Sequence, residues 1–346
     1  MSHLAQSRDL SDPKLILEFA RLVRDRVQLR DLYLLTFADI RASSKTAWTD
    51  WKGQLLRDLF ERTSEFLETG SEDPNTALEL IDERVSARRE AAAQELRQLG
   101  VADAKVREFF ETMPRRYFVA HTPRQIARHA LVVLAYRSDR VMSTAVREMA
   151  GGYSEFILCT KDVHGLYANV AGALTANGIN ILGANVYSAR SGLALEVYRL
   201  STPTGGEAER GLAWEKFEQT LADVLSGRER VADLLARRPR RVAADRLTSR
   251  NPATVVVSND ESDFYTIVDI TANDRLGLLH DLTRTIADHG CEIFISKAAT
   301  VLDQVTDTFY LKDEHGKKLS DPAAIERLRA ALLTAAERGE DELGRV

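Results

Sequence analysis

The sequence predicts a helical N-terminal region followed by two copies of a small α/β module, each ordered β-α-β-β-α with an extra leading strand. Three observations predict it. Apolar residues recur at helical spacing through the first part of the chain. Near residue 140 the pattern turns to short β-rich runs. Finally, "TKDVHGLYANVAGALTANGINI" (160–181) returns as "ANDRLGLLHDLTRTIADHGCEI" (272–293) at an offset of 112, which lays Asp162 on Asp274, Gly165 on Gly277, Leu166 on Leu278 and Gly178 on Gly290. The copies are diverged, so this is a duplicated module and not low complexity.

The elements follow in order. Asp12-Pro13 caps a helix whose apolar positions are Leu15, Ile16, Phe19, Leu22 and Val23. "LRDLYLLTFADIRA" (29–42) is apolar on nearly every face, which predicts a central helix. A third helix covers roughly 46–69 and stops before Gly70, with Trp48, Trp51 and Phe60 as packing anchors. The charged, alanine-rich 78–99 stretch predicts a surface or bridging helix, and 123–137 an amphipathic one. In the first module "VMSTAV", "SEFILCTKD", "INILGANVYSA" and "LALEVYRL" read as strands, with helices over roughly 165–177 and 213–226. In the second, "ATVVVS", "FYTIVDITA", "CEIFISKAAT" and "VTDTFYLKD" are the strands, with helices over 277–289 and about 321–336. Between them, Arg237, Arg238, Arg240 and Arg241 around Pro239 read as a solvated linker.

Composition excludes some classes. The 346 residues have ample core for two or three domains. A net charge of −5 and a pI near 5.9 argue against nucleic acid as the main partner. The cysteines, Cys159 and Cys291, do not fall at matching repeat positions and show neither a disulfide framework nor zinc spacing. With no apolar run of membrane-spanning length and a polar N-terminus, the expectation is a cytoplasmic protein without membrane contact.

The repeated turn carries the chemistry. A strand ends at the Asp, and a glycine-containing turn leads into a helix whose first N–H groups suit a carboxylate. Asp162 or Asp274 accepts an ammonium or caps the helix, so the turn reads either as an α-amino-acid clamp or as a capped helix start. Leu166, Val170 and Leu174, like Leu278, Leu282 and Ile286, repeat at four-residue spacing and are core. Each helix closes with a glycine in a left-handed C-cap.

Asp-x-x-Gly-Leu, a helix, then a Gly-x-Asn/Glu-Ile strand start resembles the ACT domain, a ferredoxin-like α/β fold that binds amino acids at module interfaces. "LYLLTFADIRASSKTAWTDWKGQLLRDLFERT" (32–63) resembles the end of the HD domain of the bacterial PII uridylyltransferase/uridylyl-removing family. "RRYFVAHTPRQIARHA" (115–130) resembles the segment before that family's tandem ACT domains. The resemblance covers essentially the whole chain and implies an α + α/β architecture. The end of an HD domain would occupy 1–72 and a helical connector 73–140. ACT domains would fill 141–236 and 253–340, joined by a 237–252 linker.

That family combines nucleotidyltransferase, HD phosphohydrolase and two ACT domains. "GSEDPN" at Gly70 is followed by no Asp-x-Asp, so it reads as a helix-ending loop. The resemblance makes Asp39 a single HD metal ligand, with its partners expected upstream of Met1; His3 matches none of them. His280-Asp281 reads as a solvent-facing pair on a module helix. The chain is therefore expected to be catalytically incomplete: a fragment, a truncated gene model or a separate gene. No cofactor is expected for it, while the complete enzyme would use Mg²⁺ or Mn²⁺. The resemblance implies L-glutamine as effector and PII as partner. It places the effector at Asp162, His164, Gly165 and Leu166, and at Asn273, Asp274, Gly277 and Leu278. The alternative is a free-standing, non-catalytic amino-acid-binding regulator. Two further expectations follow: that the modules communicate with the HD portion through the 75–140 helices, and that a chain starting near residue 140 is better behaved than the whole.

Overall fold

Eight helices occupy the described residues before Met142: α1 (Ser2–Ser7), α2 (Pro13–Val23), α3 (Arg26–Ser43), α4 (Asp50–Glu68), α5 (Pro74–Gln98), α6 (Asp103–Thr112), α7 (Arg115–Ala120) and α8 (Pro123–Ala135). The computed structural model describes residues 1–43, 50–69, 74–149, 152–237, 252–301 and 304–338. The α2 start is as expected: the Asp12 carboxylate accepts the Lys14 N–H at 3.0 Å, with Pro13 opening the helix. Thr122 and Gln125 cap α8 reciprocally. One cluster, around Phe19, Leu29, Leu55, Leu56 and Leu59, joins α1–α4. A second, around Phe109, Tyr117, Phe118 and Ile126, joins α5–α8.

α3 is not central. Leu29 is buried, but Leu34 and Leu35 are 55% and 68% exposed, beside Val27 at 58% and Leu22 on α2 at 73%. α2 and α4 pack against α3, and no described element covers the face carrying those leucines. Phe60 stacks at 4.9 Å on Tyr33. Trp48, the Trp51 side chain and the Gly70 loop lie outside the described residues.

The two modules form one sheet. The first comprises β1 (Met142–Met149), β2 (Tyr153–Lys161), α9 (Leu166–Asn177), β3 (Ile181–Ser188), β4 (Leu193–Ser201), α10 (Glu207–Leu225) and a short α11 (Val231–Ala236). The second comprises β5 (Thr254–Ser258), β6 (Thr266–Asn273), α12 (Leu278–Asp288), β7 (Cys291–Val301), β8 (Gln304–Asp313) and α13 (Pro322–Glu337). Strand order is β1-β2-β4-β3-β7-β8-β6-β5, so the modules meet edge to edge through β3 and β7. The pairs are Gly183 with Lys297, Ala184 with Ser296 and Asn185 with Ile295. Shifting each residue by the repeat offset returns the same pairs with partners exchanged. The junction therefore has the symmetry of a twofold dimer, with its axis between Ala184 and Ser296.

α9, α10, α12 and α13 cover one face over a core that includes Leu166, Val170, Leu174, Leu278, Leu282 and Ile286. The other face is also covered. Ile157, Cys159, Tyr187, Leu195 and Val197 pack against the α5–α8 cluster. The N-terminal segment lies over β7 and β8, where the Asp9 N–H donates to the Tyr310 hydroxyl at 2.7 Å. Arg8 grips Asp269 with two bonds of 2.9 and 2.8 Å and Glu261 with a third of 2.8 Å, and Ser262 donates to Asp12 at 2.6 Å. This bears on two expectations. A chain starting near residue 140 would bare a buried apolar face, which argues against its being better behaved than the whole. The N-terminal helices also touch the second module directly, besides any route through 75–140. Of the linker, Arg237 closes α11 and pairs with Glu229 at 2.6 Å; Arg238, Pro239, Arg240 and Arg241 lie outside the described residues.

Candidate functional site at the junction of the two modules

Both turns have one geometry. β2 ends at Lys161 and β6 at Asn273; Asp162 and Asp274 follow, exposed. Gly165 and Gly277 hold the N-cap positions in the left-handed region, at φ 74° and 84°. Any side chain there would be strained, which is why both copies keep glycine. Since glycine holds the cap, neither Asp sits where a capping side chain is carried. The Leu166 N–H turns back to Val163 O at 3.1 Å, and Leu278 N–H to Arg275 O at 3.2 Å. The next N–H groups, of Tyr167 and Ala168 in the first copy, have no intrahelical acceptor.

An open cleft of about 480 Å³, counting its solvent-open mouth, lies at the first turn. Its walls are the 162–168 segment, Val186 and Ser188 of β3, Glu196 of β4 and, across the junction, α12 and residues 291–294. The structure thus brings Asp162, His164, Gly165 and Leu166 together at one cleft. His164 Nε2 donates to the Ala287 carbonyl at 2.8 Å, tying the first turn to the end of the second module's helix. The lining is acidic: Asp162, Glu196 and Glu292 against His164. Burial, and then the Asp162 charge, raises the Glu292 carboxyl above its ordinary range.

Glu196 was missed in the sequence. It is 0% exposed; Oε2 accepts the Tyr198 hydroxyl at 2.5 Å, and Oε1 has no hydrogen-bond partner. Burial pushes its carboxyl up to about 8; the Tyr198 bond opposes the shift and the Asp162 charge adds to it. The Tyr167 hydroxyl and Ser296 Oγ are likewise buried, beside one another. The second copy carries a counterpart. Glu196 pairs with Leu158 and Val186, and Asp307 with Ile270 and Ala298, which are the same positions. The β7–β8 connection is one residue shorter, so the offset falls to 111 and hides the match. Burial, then Asp274, pushes Asp307 up to about 7.

The second turn differs. Gly277 is buried, and Leu235 of α11 lies 3.8 Å from where its Cβ would stand. Arg275 donates to Asp281 at 2.6 Å and to Ala335 O at 2.8 Å. Asn273, Asp274, Gly277 and Leu278 gather at the second turn, where Leu235 of α11 lies against the buried Gly277 while Asp274 stays exposed. His280 is not solvent-facing. Its side chain is mostly covered and packs where α12 crosses α9: a Cβ on Gly172 would meet it at 2.9 Å and Val231 at 2.1 Å. The small residue at 172 is what allows that close crossing. Asp39 is exposed on α3, away from the junction. Among the described residues no three His, Cys, Asp or Glu side chains gather to hold a metal ion, and one carboxylate does not fit a catalytic Mg²⁺ or Mn²⁺. No described helix is long and apolar enough to cross a membrane.

Comparison with known proteins bears on this geometry. Residues 81–132 match the family model described as the uridylyltransferase GlnD fifth domain, and 254–337 the ACR9-like, ACT-like domain. Proteins named bifunctional uridylyltransferase/uridylyl-removing enzyme are similar over nearly the whole chain. That of Phenylobacterium zucineum (strain HLK1) is 33% identical over 99% of this chain and 36% of its own length. That of Azospirillum brasilense is 32% identical over 97% and 36%, and that of Pseudomonas putida (strain W619) 30% over 98% and 38%. The chain thus spans little more than a third of the length of these relatives.

Proposed function

Because this chain is related along nearly all its length to proteins named bifunctional uridylyltransferase/uridylyl-removing enzyme, we propose that it is the glutamine-sensing regulatory portion of such an enzyme. That enzyme acts on the PII signalling protein in the bacterial cytoplasm. The observation that carries the reading is the open cleft where the first turn meets the second module. Its helix start offers the Tyr167 and Ala168 N–H groups to a carboxylate. Its acidic lining favours an amide side chain over a second carboxylate. A ligand seated there touches both modules, and so has differential affinity for two arrangements of them. The helical layer and the Arg8 seam, both resting on the sheet, would carry that difference to the HD portion.

On this reading the chain alone neither transfers UMP to PII nor removes it. Incubation with PII, UTP and Mg²⁺, and separately with PII-UMP and Mn²⁺, is expected to give background turnover. Turnover in either assay would overturn the catalytic incompleteness. Calorimetry of the full chain is expected to show heat with glutamine and little with glutamate; equal heats, or none with any amino acid, would overturn the ligand.

A further inference from the structure

We propose that Glu196 is the group that receives the ligand's ammonium, and that it does so by giving up a proton when the ligand arrives. The inference rests on the amino-acid reading of the first cleft and adds the residue that would decide it. Two geometric facts carry it. Glu196 is fully buried yet lines the cleft, and one of its oxygens is unpartnered. Leaving a buried acceptor unpaired is costly, and such a group in a native fold calls for an explanation. In addition, Tyr167 and Ala168, whose N–H groups have no intrahelical acceptor, line the same cleft, so donor and acceptor sites share it as an α-amino acid's two charges require.

The surroundings set the charge state. Asp162 and His164 face the cleft from the turn, Tyr167 from α9, and Glu292 and Cys291 from β7, the thiol held neutral by burial; Tyr198 on β4 bonds Glu196 from the core side, and β3 and α12 contribute Val186, Ser188, Thr283 and Ala287, which bear no charge. His164 is the one cation-forming group in the lining, and it is engaged with Ala287 O. Nothing fixed neutralises Glu196, so burial favours the protonated carboxyl before a ligand binds. An incoming ammonium favours the carboxylate. The proton leaves to solvent, and the ammonium donates an N⁺–H···O⁻ bond to the Oε1 that had no partner, while the Tyr198 hydroxyl keeps its bond to Oε2. Binding therefore releases a proton and tightens as pH rises towards 8.

The test is calorimetry on the full chain with glutamine, and with glutaramate, which lacks the α-ammonium, as the control. Titration at pH 7 in two buffers of different ionisation enthalpy counts protons. The unaltered chain is expected to release about one proton per glutamine. Its association constant should rise roughly tenfold per pH unit below about pH 7.5 and level off above about 8. Glutaramate should bind at least about tenfold more weakly and release none. Glu196→Gln keeps size and hydrogen bonding. It should melt like the unaltered chain at pH 6, bind glutamine about tenfold or more weakly, and lose the pH dependence. Glutamine heat without proton release, or an E196Q affinity within about twofold, overturns this role and leaves the cleft reading standing. No glutamine heat in the unaltered chain overturns both.

Discussion

At the scale of single residues, the informative groups are the ones buried against their charge. His121 and His129 meet edge to face at 4.6 Å within the helical layer's core, bonded to Tyr187 at 2.9 Å and Tyr117 at 3.1 Å. Burial lowers His129 to about 4 and His121 well below its ordinary range. The unfolded chain binds these protons near pH 6.5 and the folded chain does not, so stability is lost as pH falls from about 6.5 towards 4. Glu196 and Asp307 act in the opposite sense. Their folded carboxyls are raised, so stability falls as pH climbs from the ordinary carboxylate range to about 8 and about 7. Urea midpoints between pH 4.5 and 8.5 should trace a dome. His129→Asn, which keeps an acceptor for Tyr117, should flatten the acid side by on the order of 2–3 kcal/mol. An unchanged acid limb would show that His129 titrates normally. Little of this was legible beforehand. The glycine turns were, because a left-handed N-cap demands glycine. Glu196 was not, because one buried acid in "LALEVYRL" reads like any outward residue of an alternating strand. Its signal is the match to Asp307, visible only when the shorter second hairpin is allowed for.

At the scale of elements, the helices and strands read from periodicity stand where expected, because each buries one apolar face, the module helices and α8 against the large sheet and α2–α4 against one another. α3 misled, since an all-round apolar helix predicts burial only if something covers it. α11 was read as linker: six residues are too few for a periodic signal, and its helical start carries no capping side chain. Yet α11 decides which turn is open. Val231 fills the space beside Gly172, and Leu235 closes over Gly277. Leu235→Ala should uncover the second turn, where Asp307 occupies the position of Glu196. Calorimetric stoichiometry with glutamine is then expected to rise from one towards two per chain. A value fixed at one would show that α11 is not what closes that turn.

At the scale of the whole molecule, the sheet is the middle of three layers, with the module helices on one face and the N-terminal helices on the other. The sequence suggested modules strung on a connector. It could not show the sheet's second buried face, because apolar residues such as Ile157, Leu195, Val197 and Ile267 look alike whether they meet helices of their own module or of another. The Arg8 seam was illegible for a similar reason, since an isolated Arg in a polar N-terminus has no pattern. Arg8→Ala leaves Asp269 partly buried without its bidentate partner, which should cost about 1–3 kcal/mol of docking. Hydrogen exchange should quicken in α1 and α2 while β6 and β8 stay protected. Equal protection throughout would mean that the apolar contacts alone hold the seam.

The exchange of partners across β3 and β7 has a consequence for how a signal is read out. Two identical modules docked about a true twofold axis must carry identical clefts, and a change in one is a change in both. Joining the copies in tandem lifts that constraint. Here the first turn opens on a cleft, while a six-residue helix packs Leu235 against the glycine of its twin. On the proposed reading, a chain with one open cleft would fill as a simple hyperbola of effector concentration. Any steepness in the response must then come from outside this pair of modules.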